Sequence, residues 1–478
     1  MKKLMSSYSP KYPTILVYML QGTEYQTDPY LRWYWRAENF GSVMKRRSLH
    51  KTKAAKLLLL ALTAGMLLQV MVGAVFLGFG LKGDDVALSV IGAALIILYP
   101  ITWAHLAIVP LWLGRVLVVR PKERQLIRRS EGIFAKHPGT RIGVAGSYGK
   151  TTMKELLGTV LSEGKNVAIT PANMNVASSH AKFAARLKGD EDILVIEYGE
   201  GRPGDVGRFA ATTQPNIGVI TGIAPAHLDQ YPTLDAAARD IFSLADYLED
   251  KHVYVNAESE AALPYIKEGH VTYTSKGVDE WTVQKIDVNF DGVKFEMHKG
   301  SEKLKLHSGL LGRHQVGPLA AVVALADALG LSNAEIQAGV AKTQSFEHRM
   351  QARSLHGAWI IDDTYNGNID GIKAGLALLV DLPGKRKIYV TPGLVDQGVE
   401  TERVHKHMGE LIAAAKPDRV VLMQNSATEH IQTGLTEHGY AGEVQIEDNP
   451  LDFYTNIQHF VANGDVVMMQ NDWTDNYA

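Results

Sequence analysis

The sequence predicts an α/β protein: a central α/β domain with an antiparallel insert, then a C-terminal Rossmann-like α/β domain, preceded by a two-helix transmembrane hairpin. Three observations predict this. Two long stretches near the N-terminus carry almost no charge, short β-branched runs alternate with helical patterns after about residue 136, and a glycine-rich turn joins one such run to a helix. A chain of 478 residues has room for about three domains. The expected boundaries are a juxtamembrane segment at 1–53, the hairpin at 54–115, the central domain at 137–345 and the C-terminal domain at 346–478. Hydrophobic residues are 46% and charged ones 21%, which excludes wholesale disorder. Lys and Arg number 49 against 51 Asp and Glu, so the charge balance gives no case for nucleic acid as a partner. The absence of cysteine excludes disulfides, thiolate metal sites and cysteine nucleophiles.

The hairpin follows from length. Residues 57–81 contain no charged side chain or histidine, and residues 86–114 contain only His105. Each run exceeds the roughly 20 residues that a helix needs to cross hydrocarbon. Lys45, Arg46, Arg47, Lys51, Lys53 and Lys56 precede the first, and Arg115, Arg120, Lys122, Arg124, Arg128 and Arg129 follow the second. Both termini are therefore expected on the cytoplasmic side, in contact with membrane lipid. The aromatic and basic stretch Tyr30-Leu-Arg-Trp-Tyr-Trp-Arg36 suits either a segment lying on the membrane surface or a small packed element.

The soluble part begins with three runs that read as buried parallel strands: Arg141 to Ala145, Asp192 to Glu197 and Asn216 to Thr221. Period-two alternation at Val283, Ile286, Val288, Phe290, Val293, Phe295 and Met297, with a turn at Asp291-Gly292, marks an antiparallel insert within 271–310. A second α/β series has strands at 359–361, 387–391, 419–423 and 465–469. Ligands in such sheets gather at the carboxyl ends of strands, so a cleft between the two domains is the expected site.

The sharpest local signal is Gly146-Ser147-Tyr-Gly149-Lys150-Thr151-Thr152, directly after a strand and before a helix. Such a turn points N–H groups and a helix dipole at phosphate oxygens, while Lys150 reaches the β- and γ-phosphates and Thr151 ligates Mg²⁺. This makes the central domain a P-loop domain, in a shorter form than the strict spacing. Glu197, at the end of a neighbouring strand, would supply one carboxylate to the cation. His227 lies at the end of the third strand and could contact metal or phosphate. Gly199-Glu-Gly201-Arg-Pro-Gly204 matches G-x-G-x-x-G, but Glu200 and Pro203 do not suit a pyrophosphate turn, and it is rejected as a dinucleotide site.

Together with Thr170-Pro-Ala-Asn-Met-Asn175, Glu197-Tyr-Gly, His227-Leu-Asp, Asn256-Ala-Glu, Gly312-Arg-His314, His348-Arg349 and Asp362-Asp-Thr-Tyr-Asn-Gly-Asn368, the phosphate loop resembles the Mur ligase family of ATP-dependent amide-bond ligases from about Arg141 onward. The nearest branch is the one that adds D-alanyl-D-alanine. The resemblance implies a muramoyl-peptide carboxylate, an amino-acid or dipeptide amine, ATP and Mg²⁺, joined through an acyl phosphate in peptidoglycan synthesis. It implies that Gly146, Ser147, Gly149, Lys150, Thr151 and Thr152 hold the ATP phosphates, with Thr151 and Glu197 on Mg²⁺ and His227 at a second metal ion. Gln315 would take an adenine contact, Asn175 and Asn368 substrate contacts. Arg349, Asp363, Tyr365 and Asn366 would bring the C-terminal domain onto nucleotide and phosphate, with Lys150, His227 and Arg349 as the catalytic group.

The sequence also departs from the family pattern. The stretch Ala236-Ala-Ala-Arg239-Asp240 lacks the metal-ligating lysine found after the histidine in relatives, Gln315 and Pro318 replace asparagines, and Ile369 replaces a proline. The hairpin stands where the family's UDP-sugar domain is expected. A ligase for another polymer such as poly-glutamate, a membrane-associated ATPase or kinase, and a silent nucleotide-binding scaffold remain as alternative readings.

Overall fold

The computed structural model describes residues 2–23, 25–37, 39–43, 49–172, 174–224, 231, 233–365, 367–395, 397 and 400–471. They form two compact units, Met1–Gln125 and Leu126–Ala478.

The first unit is helical: α1 (Lys2–Ser7), α2 (Tyr12–Gly22), α3 (Thr27–Arg36), α4 (Lys53–Lys82), α5 (Val86–Leu106) and α6 (Ile108–Gly114). Thr52 caps the start of α4 by accepting the Ala55 N–H (3.1 Å); the tight turn into α5 is set by Gly83 N–H to the Phe79 carbonyl and Asp85 N–H to the Gly80 carbonyl (both 2.9 Å), with Asp85 capping α5 by accepting from Leu88 (3.0 Å). The two long helices approach closely where Gly73 meets the Gly92 carbonyl and the Ile96 side chain, a contact that a Cβ would prevent. Their other faces expose Leu60, Leu67, Met71 and Phe79 on α4 and Val90, Ile91, Ile97 and Leu98 on α5. Both are long and apolar enough to cross a membrane. The short helices pack on one end of this pair, burying Tyr12, Leu16, Leu20, Tyr30, Tyr34 and Phe40 with Leu58, Leu62, Met66 and Ala104. Tyr12 and Tyr30 donate their hydroxyls to the Pro100 (3.2 Å) and Ala104 (3.1 Å) carbonyls. The aromatic stretch at 30–36 is thus a packed helix, because its tyrosines find both apolar neighbours and acceptors there. The second apolar run does not stop as helix at 114: it continues through a π turn (Arg115–Val119) into α7 (Arg120–Lys136).

The second unit has two sheets. The first is built from β1 (Thr140–Ala145), α8 (Lys150–Leu161), β2 (Val167–Ile169), α9 (Ala177–Ala184), β3 (Ile193–Glu197), α10 (Asp205–Thr213), β4 (Ile217–Ile220), α11 (Leu234–Tyr247), β5 (Val253–Asn256) and β6 (His270–Thr274), then β7 (Gly277–Val278), β8 (Trp281–Asn289), β9 (Gly292–Lys299) and β10 (Glu302–Ser308). Its order is β10-β9-β8-β7-β6-β5-β4-β1-β3-β2. From β2 to β6 the pairing is parallel, and from β6 to β10 antiparallel. The insert is therefore an extension of the same sheet, and its first expected strand, β6, is parallel to β5. Helices α12 (Val316–Ala328) and α13 (Asn333–Ala341) follow. One face of the sheet packs Met153, Leu156, Leu157 and Val160 of α8 against the almost wholly buried α12, at about 1.5–3 kcal/mol per fully buried large apolar side chain.

The second sheet takes β11 (Gln351–Leu355), β12 (Ala358–Asp363), α14 (Ile369–Asp381), β13 (Arg386–Thr391), α15 (Thr401–Ala415), β14 (Arg419–Met423), α16 (Thr428–Glu437), β15 (Glu443–Glu447), α17 (Pro450–Thr455) and β16 (Asp465–Gln470), in the order β11-β12-β16-β13-β14-β15. All pairs but β11–β12 are parallel. The turn between β8 and β9 meets this sheet: the Phe290 and Trp359 rings stack with centroids 4.4 Å apart. Arg313 Nε also binds Asp381 at 2.9 Å.

Candidate active site

The register of the first sheet assembles the site. Val144 of β1 pairs with Glu197 of β3, so the last carboxylate of β3 stands beside the glycine turn that leaves β1. Gly146 has φ +146 and lies so close to Thr221 that a Cβ there would collide with its hydroxyl; Gly149 has φ +74 and opens α8. Thr221 Oγ1 donates to the Tyr148 carbonyl, and Asn256 Nδ2 donates to the Thr221 carbonyl (2.8 Å), so the ends of β4 and β5 buttress the loop. The Ser147 N–H donates to the Gly222 carbonyl (2.8 Å), which leaves the Ser147 hydroxyl, not its amide, for a ligand. The first hydrogen bond of α8 is Met153 N–H to the Gly149 carbonyl, so the amides of Lys150, Thr151 and Thr152 keep the free orientation of a helix N-terminus.

Glu197 is 1% exposed and gathers the groups around it. Thr151 Oγ1 and Asn175 Nδ2 both donate to its Oε1 at 3.1 Å. His180 Nε2 bonds its main-chain oxygen at 2.7 Å, and burial pushes the His180 imidazole down to about 4, so the ring is a neutral donor. Lys154, fully buried, lies 3.5 Å from Glu197 Oε2, 3.1 Å from Glu155, and donates to the Ala172 carbonyl. Glu197 Oε2 is buried and has no hydrogen-bond donor among the described residues. A hard oxygen that accepts no hydrogen bond and is held only by the 3.5 Å ion pair to Lys154, beside a threonine hydroxyl, is a fitting donor set for Mg²⁺, which takes few protein oxygens and completes its shell with phosphate and water. No trio of acidic or histidine side chains gathers as a metal site among the described residues. Lys150 donates to the Gly146 carbonyl and binds Glu200 Oε2 at 2.6 Å. The segment set aside as a failed dinucleotide turn thus supplies the partner of the loop lysine.

A second group forms at the end of β12. Asp363 pairs in register with Gln470 of β16. Its oxygens accept from Gln470 Nε2 (2.8 Å) and Met350 N–H (3.2 Å), and burial pushes its carboxyl up to about 6. Gln470 also donates to the Gly371 carbonyl and accepts from the Tyr389 hydroxyl, so it holds Asp363 to the start of α14. The Arg349 guanidinium lies 4.3 Å from the Tyr365 ring centroid. Asn368 caps α14 by accepting the Gly371 N–H (2.8 Å) through its Oδ1. Between the groups stands Tyr148, whose hydroxyl faces Ser259 and Asp370; burial pushes its phenol up to about 12.

Lys150, Thr151, Asn175 and Glu197 are therefore brought together, as are Arg349, Asp363 and Tyr365 in their own group. Gln315 bonds His314 at 2.9 Å where α12 begins. His227 and Asn366 lie outside the described residues. Asp240 accepts from the Tyr231 hydroxyl (2.6 Å) and the Gly204 N–H (2.9 Å) and so pins the turn after β3. Sequence reasoning missed Lys154, Glu200 and Gln470. Spacing held a clue for the first two: Lys154 is one helical turn beyond Lys150, and Glu200 sits just past the same strand end as Glu197.

Residues 144–326 match the Mur ligase middle domain, and residues 348–470 match the Mur ligase glutamate ligase domain. The chain is similar to the UDP-N-acetylmuramoyl-tripeptide–D-alanyl-D-alanine ligase of Escherichia coli, 27% identical over 311 residues that cover 63% of this chain and 68% of that protein. The ligase of the same name from Synechocystis is 29% identical over 300 residues, covering 61% of this chain and 64% of that protein. The chain thus spans about two thirds of the length of these curated relatives. Among solved structures, the MurF ligase from Thermotoga maritima in complex with ADP shares the fold, with a TM-score of 0.64 and 22% identity, covering 73% of this chain and 80% of that one. With a phosphate loop, a strand-end glutamate and two α/β sheets all in the order of those matches, the chain belongs to the Mur ligase family of ATP-dependent amide-bond ligases.

Proposed function

We propose that the chain joins D-alanyl-D-alanine to a muramoyl-tripeptide in peptidoglycan synthesis, at the cytoplasmic face of a membrane. The observation that carries the reading is the cluster at the end of β3: a loop lysine, a threonine hydroxyl and a glutamate with one oxygen that accepts no hydrogen bond, converging on a helix N-terminus. The names of the similar ligases supply the substrates.

In the reaction, a carboxylate oxygen of the peptide attacks the terminal phosphorus of ATP, ADP leaves, and an acyl phosphate forms. The dipeptide amine, as the free base, then attacks the acyl carbon; phosphate leaves, and the amine proton passes to solvent or to a base. Lys150 and the amides at the start of α8 neutralise phosphate oxygens, and Asn175 orients substrate beside them. Thr151 and Glu197 would hold Mg²⁺, which supplies charge neutralisation on the phosphates. Arg349, Asp363 and Tyr365 serve the nucleotide from the second sheet. No covalent enzyme intermediate is needed.

Helices α4 and α5 are read as spans contacting membrane lipid, with both termini cytoplasmic. Their outward leucines, Met71 and Phe79 support this reading, as do the basic flanks. Because the chain has no cysteine, a single introduced one reports sidedness without background. Asp84→Cys is expected to react with an impermeant maleimide from outside intact cells, and Asn463→Cys only after lysis. The activity is tested by phosphate release from ATP with UDP-linked muramoyl-tripeptide and D-alanyl-D-alanine. Release that needs both substrates is expected; release indifferent to every amine would replace the ligase reading with an ATPase.

A further inference from the structure

The ammonium of Lys150 is engaged within the protein itself. Only 9% exposed, it donates to the Gly146 carbonyl and to Glu200 Oε2 at 2.6 Å. An ammonium has three N–H donors, so at most one remains, fewer than contacts to both the β- and γ-phosphates require. Glu200, 4% exposed, is brought there by its backbone. The turn after β3 is pinned by Gly199 N–H to the Asn175 carbonyl (2.8 Å) and by Gly204 N–H to Asp240 Oδ1 (2.9 Å).

The neighbouring pair shows what is unusual about this one. Lys154 and Glu197 are deeper, and Lys154 is further bonded to the Ala172 carbonyl and Glu155, so that lysine is locked. Lys150 instead opens α8 and faces the place where an incoming phosphate meets free helix amides. A carboxylate at 2.6 Å from its nitrogen competes for the same donors as a phosphate oxygen, and its charge repels one.

We propose that Glu200 is an anion surrogate that occupies Lys150 until the terminal phosphate of ATP displaces it, and that it thereby sets nucleotide affinity. This rests on the nucleotide-binding reading of the loop. In the empty protein the pair spares a buried ammonium from being uncompensated, which is costly. On binding, the nucleotide must both break the pair and move a carboxylate aside, so affinity is lower than an unpaired lysine would give.

The test compares Glu200→Gln and Glu200→Asp with the parent chain, by ATP titration calorimetry and by thermal unfolding with and without ATP and Mg²⁺. Glu200→Gln is expected to unfold at a lower temperature when empty, to bind ATP about tenfold more tightly, and to show a larger ATP-induced rise in unfolding temperature. Glu200→Asp, which keeps the charge but withdraws it, is expected to fall between and covers the case in which the glutamine variant does not fold. In a Lys150→Ala background the Glu200→Gln effect on affinity is expected to shrink below about twofold. Unchanged or weaker ATP binding in Glu200→Gln overturns the proposal, as does an equal loss of unfolding temperature with and without ATP, which marks a purely structural pair. If the parent chain itself binds no ATP, the nucleotide reading falls; if it binds and the variants do not tighten, only the displacement idea falls.

Discussion

In the first unit Leu67, Met71 and Phe79 point outward, while the hydroxyls of Tyr12 and Tyr30 are buried against helix carbonyls. In the second unit the sheets bury most of their aliphatic side chains, and the polar groups buried with them include charges in pairs, Lys150 with Glu200 and Lys154 with Glu197, which the buried cluster of the first unit does not show. Both arrangements obey the rule that a buried polar atom needs a partner. They differ in what is lost when a partner goes. A neutral hydroxyl on a carbonyl is worth about 1 kcal/mol, whereas a buried charge left alone costs several. The contrast therefore orders the sensitivity of the molecule to single changes.

The largest effect is expected at Lys150. Lys150→Ala should reduce ligase-dependent phosphate release by at least about two orders of magnitude, the size typical of losing a major transition-state charge contact. Next, Lys154→Met strands the Glu197 carboxylate and should lower stability to denaturant by about 3–5 kcal/mol; a loss below about 1 kcal/mol would break the contrast between charged and neutral partners. On the outward face of the first unit, Met71→Arg should oppose membrane insertion by about 2.5–3.5 kcal/mol, read as the fraction of chain resistant to carbonate extraction. A variant that inserts like the parent would mean that this face does not meet hydrocarbon.

Asp363 gives a pH test. Burial raises its carboxyl to about 6 from an ordinary 3.8, so the folded state holds the proton more tightly than the unfolded one. The stability it contributes is complete below about pH 3.8 and is lost as pH rises through 6. The slope of stability against pH between about 4 and 6 should thus be less negative in Asp363→Asn, by about 1 kcal/mol per pH unit. The smallest change is Tyr12→Phe, which removes one neutral hydrogen bond and should cost about 1 kcal/mol.

Much of this was legible in the sequence, and the exceptions have physical reasons. Strands β1, β3, β4, β13, β14 and β16 were visible as β-branched runs because both faces of a parallel strand are covered. Strand β2 has three residues, too few to show a period, and β15 is half-buried with glutamate at both ends. The hairpin was plain from length alone, but helix beyond residue 114 was not, since Arg115 to Arg129 reads as a charged flank in either conformation. In the site, Glu197 was found because strand ends and glycine turns meet at predictable places. Lys154 was missed because a lysine in an amphipathic helix normally reads as surface, and here the Ala172 carbonyl and the Glu197 carboxylate meet it in the interior. Asn368, expected as a substrate contact, also caps α14 through its Oδ1, a local role that its place just before a helix makes legible.

The place of β16 ties the second sheet to the carboxylate it carries. It lies third of six, between β12 and β13, although it follows both in sequence, and it delivers Gln470 to Asp363. Loosening this one strand would therefore part β12 from β13 and release Asp363 from the amide that holds it, so damage to the sheet and damage to the site arrive together.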